Sequence, residues 1–192
     1  IGSAKNLDTK LKHIYGGENV EKIGNYAFQC CSALTEFNFS DKLKEIGRFA
    51  FYDCHALTEF NLSDKLTEIG ANAFIDCYGL QKAILPKTIT NIHTGIFWDN
   101  CNLTNIGNMH NVKYIGDFSF SGWEDGHPVN RLGEKTGMLN YDGSFDGQMP
   151  NLEEAGSWAF RNQIYLKELY MPKLRSIGSN CFNGCSNLKK IT

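Results

Sequence analysis

The sequence predicts an α/β solenoid in which one unit of about 23 residues is copied along an axis, with a parallel β-sheet on one side and short helical turns on the outside. Three observations predict it. A marker isoleucine recurs as Ile23, Ile46, Ile69, Ile92 and Ile115, each 23 positions after the last, in four of the five followed by glycine. Five residues beyond the marker comes a phenylalanine, as Phe28, Phe51, Phe74, Phe97 and Phe120 and again as Phe160 and Phe182. Leu57, Phe60 and Leu62 follow a Leu-x-x-Leu-x-Leu spacing that returns unit after unit. Self-similarity at a period of roughly 20 to 50 residues marks a solenoid, because each unit has an apolar face that only its neighbours can cover.

Taken in order, Leu11, Ile14 and Gly16-Gly17 fit the second half of a degraded first unit. In the full units, the last two apolar residues of each set sit two apart and so share one face of a short strand. The sets are Leu34, Phe37, Phe39; Leu57, Phe60, Leu62; Leu80, Ala83, Leu85; Leu103, Ile106; Leu166, Leu169, Met171; and Leu188, Ile191. Ser63-Asp64-Lys65 and Pro86-Lys87-Thr88 then make turns, since Ser and Asp bond their own backbone and proline fixes φ. Leu66 and Ile69 re-enter the core, Gly70 is expected to permit a bend, and Ala73-Phe74 with Cys77 predicts about one helical turn on the outer side. The phenylalanines should stack as an internal ladder, each stabilising the fold by ~1.5–3 kcal/mol.

The register breaks once. Ala155 follows Ile115 after 40 positions, and Ile177 comes 22 later, so one repeat carries an insertion of about 17 residues within roughly 121–150. The array starts and stops in mid-repeat, so residues 1–192 read as a single domain and as part of a longer repeat array.

Composition narrows the function classes. With 42% hydrophobic and 21% charged residues the chain has the make-up of a globular domain. A net charge of −2, with Lys189-Lys190 as the longest basic run, gives no footprint for nucleic acid. Runs such as Phe49-Ala50-Phe51-Tyr52 fall far short of the roughly 20 residues of a membrane-spanning helix. The seven cysteines form no Cys-x-x-Cys pair. Cys31, Cys54, Cys77 and Cys185 lie three after the ladder phenylalanine and read as small buried residues, whereas Cys30 stands outside that phase as the candidate accessible thiol. His13, His55, His93, His110 and His127 occupy different repeat phases and build no metal or nucleophile-base pattern. No cofactor, metal or catalytic activity is expected.

What remains is a binding surface. The strand residues pointing away from the core form a second ladder: His13 and Tyr15, Glu36 and Asn38, Glu59 and Asn61, Lys82 and Ile84, Asn105, then Glu168 and Tyr170. Alternation requires polar residues there in any case. Ile84 and Tyr170 tip the reading toward a ligand face, expected on the concave side of the sheet, because interfaces enrich aromatic and apolar residues. The insertion is the second candidate. Its preferred contacts are Tyr141 and Phe145, with Asp142 and Asp146 orienting polar groups of a ligand, which would suit a carbohydrate. Asp142 to Gly147 lacks the alternating oxygen ligands and terminal glutamate of a calcium loop, so no metal is expected there.

The unit Ile-Gly-x-x-Ala-Phe-x-x-Cys-x-x-Leu, followed by a short strand and a turn, resembles the BspA-type leucine-rich repeat family. Ile46-Gly47-Arg48-Phe49-Ala50-Phe51-Tyr52-Asp53-Cys54-His55-Ala56-Leu57 fits at every named position, as does Ile69 to Leu80. Ile96, Ser119 and Cys181 depart from it at the Ala position, and Asn100, Trp123 and Gln163 at the Cys position. The resemblance implies a leucine-rich repeat solenoid belonging to a secreted or cell-surface protein, commonly bacterial. It further implies a non-enzymatic protein-binding or adhesion module whose partners are host matrix or plasma proteins, or a neighbouring cell surface.

Overall fold

Each coil lays down two short parallel strands and then a third segment that is neither strand nor helix. The computed structural model describes residues 10–38, 41–122 and 147–192. The first series of strands is His13–Ile14, Glu36–Phe37, Glu59–Asn61, Lys82–Ile84, Asn105–Gly107, Glu168–Leu169 and Lys190–Ile191. It falls where the Leu-x-x-Leu-x-Leu spacing places it. The second series was not expected: Lys22–Ile23, Glu45–Ile46, Glu68–Ile69, Asn91–Ile92, Tyr114–Ile115, Glu154–Ala155 and Ser176–Ile177. Every described pairing is parallel and in phase, Ile23 beside Ile46 beside Ile69, and Ile92 beside Ile115 beside Ala155 beside Ile177.

The third segment corrects the expected outer helical turns. Alternate N–H groups donate to the next coil: Phe49 to Ala71 O at 3.2 Å, Phe51 to Ala73 O at 2.8 Å and Asp53 to Ile75 O at 3.0 Å. A helix would need those same donors for its own carbonyls. The backbone also turns left-handed three and seven residues after the marker, at Phe49 (φ 54°) and Asp53 (φ 64°) and at Asn72 (φ 59°) and Asp76 (φ 58°), which no right-handed helix accommodates. The one helical segment among the described residues, the 3-10 turn Met109–Asn111, lies elsewhere, between the two strands of its coil.

The glycine after the marker has a different duty from the bend expected of it. A Cβ on Gly47 would lie 2.6 Å from the Asn25 nitrogen, and one on Gly70 would lie 2.7 Å from the Arg48 nitrogen, both in the preceding coil. Glycine therefore lets the coils approach. Its N–H bonds the marker carbonyl of the coil before, at 2.8 Å from Gly47 to Ile23 and 2.7 Å from Gly70 to Ile46. His93 takes this place in one coil. There the second series separates into two groups, one ending at Glu68–Ile69 and the other starting at Asn91–Ile92.

Inside, the phenylalanine ladder forms as expected, with ring centroids 5.3 Å apart for Phe28–Phe51, 5.2 Å for Phe51–Phe74, 6.0 Å for Phe74–Phe97 and 5.6 Å for Phe97–Phe120. It crosses the insertion, Phe120–Phe160 at 5.4 Å, and ends at Phe160–Phe182 at 5.5 Å. Phe51 to Phe160 are buried, whereas Phe28 and Phe182 are half-buried.

In five coils the residue three after the ladder phenylalanine donates to the phenylalanine carbonyl of the preceding coil. Cys77 Sγ reaches Phe51 O at 3.1 Å, Cys54 Sγ reaches Phe28 O at 3.3 Å and Cys185 Sγ reaches Phe160 O at 2.9 Å. The two described departures from cysteine keep the function. Asn100 Nδ2 donates to Phe74 O at 2.7 Å, and Gln163 Nε2 donates to Phe120 O. This position selects for a compact donor, and the thiol is one of three solutions. All seven cysteines stand as free thiols. Cys30 is half-buried, and so is Cys185; burial pushes each up to about 11, aided at Cys30 by the Asp53 carboxylate.

Candidate functional site

The first series of strands carries the expected outward row, and its pairing sets the neighbours. His13 lies beside Glu36; Glu59 beside Lys82 beside Asn105; Asn61 beside Ile84; and Glu168 beside Lys190. Three positions of the row were missed. Gly107 follows Ile84 in register, Lys190 faces Glu168, and Gln148 bridges to Tyr170. Gln148 sits near the far end of the insertion, where the repeat spacing gives no phase to read.

The structure gathers His13, Tyr15 and Glu36 into one exposed cluster. The Tyr15 hydroxyl donates to Glu36 Oε1, His13 Nδ1 lies 3.1 Å from the same oxygen, and the His13 and Tyr15 rings stack at 5.7 Å. The bond to Glu36, more than burial or charge, raises the Tyr15 hydroxyl above its ordinary pKa. Thr35 Oγ1 lies 3.3 Å from His13 Nδ1. At the other end Tyr170 is 42% exposed. Between them Glu59, Asn38 and Asn61 are exposed, while Lys82, Ile84 and Asn105 are half-buried. The row thus offers an aromatic group near each end and a mixed polar middle. Tyr141, Asp142, Phe145 and Asp146 lie outside the described residues.

The third segment carries a second cluster of charge. Asp53, Asp76 and Asp99 take the same left-handed position in consecutive coils, with φ of 64°, 58° and 59°. The Asp76 carboxyl is pushed up to about 6, chiefly by burial, then by the charges of Asp99 and Asp53, against the opposing effects of His55 and a bond from Tyr78. Because the folded state holds this proton more tightly than the unfolded chain, stability rises as pH falls from 7 through 6 and the gain is complete near pH 4. Asp76 is partly open to water, so the expected gain is only about 1 kcal/mol. Asp76→Asn, which also tolerates left-handed backbone, should give most of it at pH 7. Urea titrations of both proteins at pH 7 and pH 5 check this, and a variant no more stable than the parent at pH 7 contradicts it.

Among the described residues no group of three or more His, Cys, Asp or Glu side chains could hold a metal ion, and no helix is long and apolar enough to cross a membrane.

A coil of about 23 residues with an inward-facing Leu-x-x-Leu-x-Leu strand defines the leucine-rich repeat class. The BspA-type leucine-rich repeat profile matches six copies over residues 1–125 and 148–192. The chain belongs to that family. Solved structures agree on the fold. A leucine-rich repeat protein of T. pallidum superposes with a TM-score of 0.61 at 24% identity, over 94% of this chain and 66% of that one. One from Bacteroides ovatus gives 0.56 at 29% identity over 100% of this chain and 57% of that one, and the pneumococcal vaccine antigen PcpA gives 0.51 at 22% over 91% and 49%. The chain therefore spans about half to two thirds of the length of these proteins. No curated protein matches it.

Proposed function

We propose that this chain is the protein-binding module of a secreted or cell-surface protein, and that it engages an extracellular protein through the outward row of its first strand series. The observation that supports this reading is the exposed His13–Tyr15–Glu36 cluster, carried on the paired strands His13–Ile14 and Glu36–Phe37, with the exposed Tyr170 farther along the same series, since aromatic side chains on ordered backbone anchor interfaces. Family membership, and a relative described as a vaccine antigen, support the surface location. The same fold hosts many partners, so the partner is assigned by its chemistry: a folded protein presenting basic and apolar groups to Glu36, Glu59, Ile84 and Tyr170.

The test is a binding series against immobilised extracellular matrix and plasma proteins. The double variant Glu36→Lys with Glu59→Lys should slow association, because charges at the edge of an interface act mainly on encounter. Tyr170→Ala should speed dissociation and weaken affinity roughly tenfold, as loss of an aromatic anchor does. Retention of full binding by all three substitutions, in chains that keep their circular dichroism, rules out this face.

A further inference from the structure

Away from that face, a groove of about 340 Å³ follows the corner where the second strand series passes into the third segment. One wall takes a residue from each of four adjacent strands, Asn91, Tyr114, Glu154 and Ser176, held side by side by the pairing. The other wall is Thr94, Asp117 and Ser157, and the floor includes Gly116, Gly156 and Gly178.

The floor is low because the coils touch there. A Cβ on Gly116 would lie 2.6 Å from the Thr94 nitrogen, and one on Gly156 would lie 2.6 Å from the Asp117 nitrogen. On the first coils the corresponding positions carry longer side chains, Lys22 and Glu45, paired at 2.6 Å, before the marker and Arg48 after it. The opening therefore comes from the short side chains Asn91, Thr94, Ser157 and Ser176 in the later coils.

The lining decides what fits. The floor N–H groups are engaged, with Gly116 bonded to Ile92 O, Gly156 to Ile115 O and Gly178 to Ala155 O, each at 2.7 Å. An extended peptide therefore finds no open strand edge to join. What faces the groove is a tyrosine ring 40% exposed, two carboxylates, three hydroxyls and an amide. Asp117 is fixed in place, its Oδ1 accepting the Ser157 N–H at 2.6 Å. Carboxylates and amides match the paired hydroxyls of a sugar, which donate and accept at once, while an aromatic ring takes the C–H face of a pyranose. No lysine or arginine lines the groove, and its two carboxylates repel an anionic chain.

We propose that this groove binds a neutral, extended oligosaccharide laid along the solenoid axis. Tyr114 is the stacking platform, and Glu154 and Asp117 are the hydroxyl acceptors. The site is independent of the first-series face, and either can fail without the other.

The experiment uses the chain labelled with nitrogen-15, titrated to millimolar concentration with cellohexaose, xylohexaose, mannohexaose, maltohexaose and chitohexaose, and in parallel with hexagalacturonate and a lysine-rich decapeptide. At least one neutral hexasaccharide should shift the amides of Gly116, Gly156 and Gly178. Tyr114→Ala should weaken that binding roughly tenfold, a loss of about 1.4 kcal/mol. Ser176→Arg, an exposed substitution that fills the groove, should abolish it with the fold intact, and Glu36→Lys should leave it unchanged. Three results overturn the proposal: no neutral sugar moves these amides; binding survives both groove variants; or the groove amides respond to hexagalacturonate or to the peptide and to no neutral sugar.

Discussion

Phe74→Ala should lower the stability of the solenoid by about 3–5 kcal/mol, the combined cost of lost burial and an unfilled cavity. The ring is fully buried and stacks at 5.2 Å on Phe51, at 6.0 Å on Phe97 and at 4.4 Å on Phe60 from the first strand series. The backbone hydrogen bonds between coils hold their spacing on all three sides, so the coils cannot close inward to fill the gap. Each coil meets only its neighbours, and the damage should therefore reach the coils of Phe51 and Phe97. Phe182→Ala is the internal control: that ring is half-buried at the end of the ladder and should cost about half as much. Guanidinium denaturation of both variants is the measurement. A change at Phe74 below about 1 kcal/mol, the scale of a surface substitution, contradicts the buried ladder.

The second large effect lies at Asn100, where chemistry and volume can be separated. Its Nδ2 satisfies the Phe74 carbonyl at 2.7 Å, while its own Oδ1 is buried with no hydrogen-bond partner among the described residues. Asn100→Leu keeps the bulk but leaves the carbonyl unanswered, and should cost about 1–3 kcal/mol. Asn100→Cys restores the donor that Cys54 and Cys77 use in the preceding coils and removes the orphaned oxygen, so it should match or exceed the parent. If the leucine variant proves as stable as the cysteine variant in the same denaturation series, the donor requirement is wrong and the site selects on size alone.

These two residues also show what the sequence makes legible. The phenylalanine ladder could be read because a strict period places one large apolar residue at the same phase in every coil. Asn100 and Gln163 read as departures from a cysteine pattern, because a donor's target is a carbonyl and carbonyls leave no mark on the sequence. For the same reason the third segment suggested a helix: Ala-Phe with a cysteine three residues on is a fair helical turn by spacing, and only the neighbouring coil's oxygens show where its N–H groups go. The second strand series escaped because each of its strands up to Glu154–Ala155 turns one apolar residue inward, the marker, with no large apolar residue two positions away, so no alternation registers. Of the candidate site, the row from His13 to Tyr170 followed from period two, while the groove beside Tyr114 depended on which coils carry short side chains at two positions, and that becomes visible only when the coils are stacked.

His93 sets a seam in this stack. The second strand series parts there, between Ile69 and Asn91, yet the first series bridges the same level with Glu59, Lys82 and Asn105 in one sheet, and the third segment bridges it again through Asn72 to Thr94 O at 2.9 Å and Phe74 to Ile96 O at 3.1 Å. Its joints are thus staggered as in a brick wall, and a crack entering at His93 meets unbroken courses on the other two sides. Force along the axis would have to travel sideways before it could divide the array, so the molecule should resist being pulled apart at this level better than its shortest strands suggest.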